Sequence, residues 1–461
     1  MNTQDAFFPH SAAAVMPTIV AGQGPFLIDD HGRQLIDVCS GPFLASIGQG
    51  NERVLQAMLE QGRRLTYTYS RSTRHVANAE LSERLSAMAG PGFERVHLTS
   101  GGSEANEMAV KMLRAHAVAK GERERTRVIS LMPGYHGATT QTLGMNGDIG
   151  AHDLWGPLTV EAERIPAPLT FRATSPEDAA KSSLQALEAA LERLGPQTVL
   201  ALMMEPIGGQ ASGVNVPHPS FARGARAICD RHGIALIFDE VVTAFRTGHH
   251  LAAHHDREAL PDLVTLAKGL GAGYAPLGAV LAPTWLADAL AETTGFVVSH
   301  SYDACPMACA AGSAVLDEIL ERDLVEHASH IGARIRLGLD EIAERSPLVG
   351  DVRGRGLLLA IELVADRSTS AKFPVEIDPG ALLVQRGLEH GLLLYSRRQN
   401  QGRFGDWLVV APPLIIDESV ADTLVERLGA VLDSAVDQLC VATHESSLVS
   451  KSNVPDSSLS C

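Results

Sequence analysis

Apolar positions along the chain fall into short unbroken runs separated by stretches with helical spacing. Val96 to Leu98, Val128 to Leu131, Val199 to Met204, Ile234 to Phe238, Leu263 to Leu266 and Gly278 to Ala282 show no polar alternation. Such strands are covered on both faces, as in a mostly parallel sheet wrapped by helices. Between them, apolar residues recur three and four positions apart and predict helices. Examples are Val54, Leu55, Met58 and Leu59, then Leu81, Leu85 and Met88, and the runs Ser183 to Leu194 and Phe221 to His232. Before about residue 50 short apolar segments are broken by turns, and Gly24 to Gly32 reads as a β-hairpin turning at Asp29 to Gly32. After Pro306 a long helix is expected toward Leu324. A second unit follows, with strands at Gly356 to Leu363, Leu392 to Tyr395 and Trp407 to Val410 and helices to about Leu439. From Val441 onward Ser, Thr and Asn replace the apolar face, so 441–461 is expected to be a disordered tail.

The expected organisation is α/β, with a large domain over 51–305 and a smaller α+β domain over 306–440 that residues 1–50 join. A chain of 461 residues is long enough for such a division. Its formal charge of −16 argues against nucleic acid and anionic membranes as partners. No apolar run reaches membrane-spanning length. No basic segment precedes an apolar core near the start, so no signal peptide is expected. The six cysteines are scattered, without metal-ligand spacing, which suits reduced thiols in the cytoplasm and no metal site.

Chemistry concentrates where two apolar runs end. Leu236-Ile237-Phe238 leads into Asp239-Glu240-Val241, and Leu263 to Leu266 leads into Ala267-Lys268-Gly269. An acid at a buried strand end is costly unless paired. A lysine in a Gly-rich setting is open to a bulky group, and partial burial lowers its pKa toward a usable nucleophile. The pair suits pyridoxal phosphate, with Lys268 on the aldehyde and Asp239 on the ring nitrogen, where it keeps the ring an electron sink. Each residue alone also has a plainer reading, Lys268 as a surface lysine and Asp239 as a helix cap or strand-end ion pair. Their separation, 268 − 239 = 29 positions, leaves room for a helical crossover between adjacent parallel strands.

The run Thr99 to Asn106 follows a strand and opens a helix, so the N–H groups of its Ser-Gly-Gly-Ser turn can hold a phosphate. The same residues can form a capping box around Glu104 with no ligand. Tyr135, in Pro133-Gly134-Tyr135-His136-Gly137, can stack on a pyridine face or simply pack.

Taken in order, these motifs resemble the class III aminotransferases, the ω-aminotransferase branch of the fold-type-I pyridoxal-phosphate enzymes. The resemblance rests on residues 100–105, Tyr135-His136-Gly137, Met204-Glu205-Pro206-Ile207, Asp239-Glu240-Val241 and Ala267-Lys268-Gly269, then Val352 to Gly356 and Ala411 to Leu414. It covers about Pro25 to Leu439. It implies a large domain with a mostly parallel seven-stranded sheet, and a homodimer with shared active sites. It implies that Gly101, Gly102 and Ser103 hold the phosphate, and that Tyr135 stacks with Val241 on the opposite face. It also implies that Asp239 pairs with the ring nitrogen, that Lys268 forms the Schiff base, and that His136 and Glu205 belong to the cofactor site. Ser301 stands where a threonine usually reaches the neighbouring subunit's phosphate. Phe43 falls at a pocket-lining aromatic position, and Arg397, Arg398 and Arg403 lie where some relatives carry a mobile carboxylate-binding arginine. Asp303-Ala304-Cys305-Pro306 departs from the usual Ser-Gly-(Asn/His)-Pro, and Arg246 receives no role because the loop before it is short. The implied reaction moves an amino group from an amine or ω-amino acid to pyruvate or 2-oxoglutarate by a ping-pong mechanism. An aminomutase, epimerase or decarboxylase of the same fold is the alternative, and a cofactor-binding protein without turnover is a third.

Overall fold

In the computed structural model, which describes residues 16–293 and 295–452, the chain opens with β1 (Ile19–Gln23), β2 (Phe26–Asp29) and β3 (Gln34–Asp37). The hairpin turn falls between β2 and β3, which pair antiparallel. Asp29 Oδ1 accepts the backbone N–H groups of His31 and Arg33 at 3.0 and 2.8 Å. That local bonding is what makes Asp a turn residue.

Seven strands build the central sheet: β4 (Arg95–Thr99), β5 (Arg127–Met132), β6 (Glu163–Pro166), β7 (Val199–Met204), β8 (Ala235–Asp239), β9 (Leu263–Leu266) and β10 (Gly278–Ala282). Their spatial order is β4-β10-β9-β8-β7-β5-β6. β10 runs antiparallel to both neighbours, and the other pairings are parallel. Every residue of β7, β9 and β10 is buried, as strands covered on both faces require. On one face the helix Gly102–Ala119 brings Met108, Met112 and Leu113 into a cluster with Ile237, Leu263 and Val280. The other face joins Leu202, Phe238 and Val264 to Leu187 and Phe221 of covering helices. β6 went unread in the sequence because Ile165 is its one buried residue.

β8 and β9 are adjacent and parallel, with Asp239 opposite Thr265. The crossover between them is not the expected α-helix: it is built from turns and two 3-10 segments, Ala252–His255 and Arg257–Ala259. Glu240, fully buried, anchors it by accepting the N–H groups of Ala252 and Ala253 and the hydroxyl of Thr243.

The second unit contains β11 (Val349–Arg355), β12 (Leu358–Leu363), β13 (Leu392–Leu393) and β14 (Asp406–Val410). β11, β12 and β14 form an antiparallel sheet. β13 instead pairs parallel with β3, so the start of the chain and its last quarter share one four-stranded sheet. The helix after Pro306 ends at Glu321, and Asp323 in the left-handed region (φ +47°) starts a second one, Leu324–Arg345. The final helix runs from Glu418 to Ser452, so residues 441–452 are helical rather than disordered. Burial of Leu424, Leu428, Leu432 and Leu439 holds the first part of this helix, and extending a formed helix costs far less than starting one. The rest of the expected tail, 453–461, lies outside the described residues. Among the described residues no helix is long and apolar enough to cross a membrane.

Candidate active site

The parallel strands deliver their following residues to one edge of the sheet, the usual place for a ligand in such a fold. β4 ends at the Ser100 turn, β5 precedes Tyr135 and His136, β7 precedes Glu205, β8 ends at Asp239 and β9 precedes Lys268. A cavity of about 410 Å³ opens there. Gly101, Gly102, Ser103 and Tyr135 line it, and so do His136, Glu205, Asp239, Val241 and Lys268.

Asp239 is 4% exposed, and three protein donors offset its burial. Its Oδ2 accepts from Asn106 Nδ2 and His136 Nδ1, each at 2.8 Å, and its Oδ1 accepts the N–H of Val241 at 3.1 Å. A carboxylate has about four acceptor positions, so one remains for an N–H in the cavity. Asn106 had drawn no role from the sequence. It sits one turn inside the helix Gly102–Ala119, buried, with its Oδ1 accepting Thr265 Oγ1 at 2.6 Å and its Nδ2 also donating to the His136 carbonyl. Burial works against a charged His136, but the hydrogen bond and charge of Asp239, with the charge of Glu205, outweigh it and raise the imidazole pKa.

Glu205 Oε2 accepts the Tyr135 N–H at 3.2 Å and its Oε1 accepts the Gly209 N–H at 2.9 Å. Burial first, and the charge of Asp239 second, raise its pKa against these bonds and the opposing pull of His136. The same two carboxyl groups attract a charge on Lys268, yet burial dominates and brings the lysine from 10.5 down to about 8. Lys268 holds a left-handed backbone conformation, φ +42°, a strain that non-glycine residues keep mainly at functional sites. Its Nζ lies 5.3 Å from the centroid of the Phe43 ring, which packs edge-on against Tyr395.

At the turn, the cap around Glu104 is present. Glu104 Oε2 caps Ser100, accepting its N–H at 3.0 Å and its hydroxyl. The first N–H groups of the helix Gly102–Ala119, which have no carbonyl one turn back, stay beside the cavity. A Cβ on Gly102 would lie 3.0 Å from Val241 and 3.4 Å from Ala267, so glycine keeps this backbone close to the space between them. The cradle, the open acceptor on Asp239 and the facing lysine together fit pyridoxal 5'-phosphate.

The remaining expected residues lie apart from this cavity. Ser301 is exposed on the loop before Pro306. Arg398 is already engaged: its Nε and Nη2 donate to Asp406 and its Nη1 and Nη2 to the carbonyls of Val375 and Pro374. Four of its five N–H groups are used, which removes it as a swinging arm. Arg403 is exposed beside Phe404. Arg397 lies over Tyr135, 5.7 Å from the ring centroid. Arg246 is buried, donating to the carbonyls of Ala411 and Pro412, and burial lowers it to about 10.

Residues 7–432 match the family model for aminotransferase class-III. The chain is 31% identical to a diaminobutyrate–2-oxoglutarate transaminase of Halomonas elongata, over 91% of this chain and 91% of that protein. It is 29% identical to a putrescine–pyruvate aminotransferase of Pseudomonas aeruginosa, over 90% of each. Among solved structures, an amine transaminase from an uncultivated Pseudomonas species, in a PLP-bound form, superposes with a TM-score of 0.87 at 32% identity. That match covers 94% of this chain and all of the other. A family match of this extent, on a sheet edge that sets a lysine across from a buried aspartate with one acceptor position open, settles the membership: the chain belongs to the class III aminotransferases, enzymes of fold type I that transfer amino groups with pyridoxal phosphate.

Proposed function

We propose that this enzyme takes the amino group of an amine or ω-amino acid donor and passes it to a keto acid, pyruvate or 2-oxoglutarate, in two half-reactions at one site. The observation that carries the reading is Lys268, lowered to about 8 in a cavity shared with Asp239 and the Gly101–Ser103 turn. The acceptors are those named for the two relatives above.

Bound pyridoxal phosphate supplies a carbonyl for the amine and a ring that withdraws electrons from the donor carbon. Asn106, His136 and the Val241 N–H hold the Asp239 carboxylate, whose open acceptor position would take the N–H of the ring. Lys268 Nζ, uncharged in a useful fraction near pH 8, would take the proton from the amine-bearing carbon of the donor and hold it for return on the cofactor side before the carbonyl product leaves. In the first half-reaction a water would supply the oxygen of the carbonyl product, and in the second the oxygen of the keto acid would leave as water. Gly101, Gly102 and Ser103 would hold the phosphate, Tyr135 and Val241 would flank the ring, and Phe43 would border the substrate side of Lys268. Arg403, exposed and without an ion pair among the described residues, is the arginine we assign to the carboxylate of the keto acid.

Ser301 serves the site of a partner subunit in a homodimer. Its exposure outside the cavity of its own chain supports this, as do the exposed Leu65, Tyr67 and Val297 on neighbouring segments. Those segments are joined by Tyr69 Oη to Ser299 Oγ at 3.3 Å. The cysteines among the described residues are unpaired, which supports a cytoplasmic location.

The test is the absorbance of the purified enzyme titrated with amines and ω-amino acids, first without acceptor. A donor that removes the cofactor's visible band, restored by pyruvate or 2-oxoglutarate, is the expected result. A band that no donor changes, with racemised, rearranged or decarboxylated substrate instead, would replace transamination by the alternative chemistries.

A further inference from the structure

One group of ionisable side chains stands outside the mechanism, at the rim of the phosphate turn. Asp303 is 3% exposed. Its Oδ2 accepts the backbone N–H of His300 at 2.9 Å and lies 4.0 Å from His97 Nε2 on β4. The His300 ring bridges two segments of chain: Nε2 is 2.8 Å from Asp303 Oδ1 and 3.4 Å from Glu104 Oε2. The backbone N–H of Tyr302 donates to His300 Nδ1 at 3.3 Å, which leaves the ring proton on Nε2, between the two carboxylates. Neither carboxylate is well aligned with that N–H, and Nε2 and Asp303 Oδ1 are buried without a directed hydrogen bond. The contact is therefore electrostatic more than directional. Glu104 is the residue whose same oxygen caps Ser100.

We propose that His300, held by Asp303, is a positioning residue that keeps the Glu104 carboxylate turned onto Ser100 and away from the phosphate, and so ties the Ser301 loop to the phosphate turn. A carboxylate in the first turn of the helix competes with a phosphate dianion for the same N–H groups and repels it. Glu104 is harmless to the phosphate only while its charge is taken up elsewhere. Ser100 supplies two donors for this purpose and the nearby His300 ring adds an electrostatic hold. Asp303 fixes the imidazole by accepting the His300 backbone N–H, so the side chain that faces Glu104 is set by its own loop. This inference rests on the assignment of residues 101–103 to the phosphate.

The two assignments separate in one experiment. The full chain, stripped of cofactor, is titrated with pyridoxal phosphate and with pyridoxal, which lacks the phosphate, and the visible band is read. Wild type should bind the phosphorylated form far more tightly; equal binding would overturn the phosphate turn itself. Given that preference, His300→Ala should lower the affinity for pyridoxal phosphate about tenfold and leave pyridoxal unchanged. Asp303→Asn, which keeps an acceptor for the backbone, should lower it less. In the double variant Glu104→Gln/His300→Ala the preference should return, because no carboxylate is left to be restrained. Equal losses for both ligands, or a double variant no better than His300→Ala, would overturn the positioning role.

Discussion

At the scale of single residues, the site is defined by Lys268 and Asp239. Lys268 falls to about 8 from an ordinary 10.5, so it binds its proton less tightly folded than unfolded. Between those values the unfolded chain carries the extra proton, and the stability of cofactor-free protein rises with pH across that window. Below about 8 both states are protonated and the group adds no further pH dependence. The rate at which stripped enzyme captures pyridoxal should accordingly climb and level off just above pH 8 in stopped-flow absorbance. A rate still rising at pH 10 would show an unperturbed lysine. Asp239→Asn should cost roughly 10²- to 10⁴-fold in kcat while cofactor binding persists through the turn, measured by steady-state kinetics beside a cofactor titration. Both residues were legible in the sequence because an ionisable side chain closing an apolar run has few inexpensive explanations. Asn106 was not, since an amide on a helix gives no periodic or compositional mark; only the packing of that helix on β8 and β9 reveals it. Arg398 misled for the converse reason, as proximity along the chain carries no information about Asp406 having already bound it.

At the scale of elements, glycine and glutamate do work that a hydrophobic pattern does not report. Gly102 lets the helix Gly102–Ala119 start within contact of Val241 and Ala267. Gly102→Ala should weaken pyridoxal phosphate about tenfold, or ~1.4 kcal/mol, by spectroscopic titration, with thermal stability near wild type. Glu240 replaces a helix as the support of the crossover from β8 to β9. Burial raises it to about 7, so the folded chain binds its proton more tightly than the unfolded one. Its stabilising contribution is therefore complete at acid pH and lost as pH rises toward 7. Glu240→Gln sets an amide N–H against backbone donors and should destabilise by about 1–3 kcal/mol, seen as a lower denaturation midpoint. The buried strands were readable because each is apolar throughout. β6 and β11 were missed because edge position and charged residues hide the pattern, and the last helix outran its apolar face.

At the scale of the molecule, the exposed Ser301 loop predicts sites completed by a second chain. Sedimentation should find dimers. In mixed dimers of Ser301→Ala and Lys268→Ala chains, half of the sites should bind cofactor with wild-type affinity, and none should if Ser301 serves its own chain. The large sheet was foreseen in outline, whereas the union of β3 with β13 was beyond local reading, because pairing across 392 − 36 = 356 positions leaves no trace in either segment. That union governs when the enzyme comes into being. The segment from Cys39 to Phe43, which carries the ring facing Lys268, is anchored by Cys39 to the carbonyl of Val409 and by Ser40 to that of Ala411. A ribosome adding about 5–20 residues per second exposes the N-terminal strands for roughly 20 to 70 seconds before their partner is made. A nascent or prematurely terminated chain can hold a folded sheet and an intact Lys268, yet it has no finished wall around the lysine.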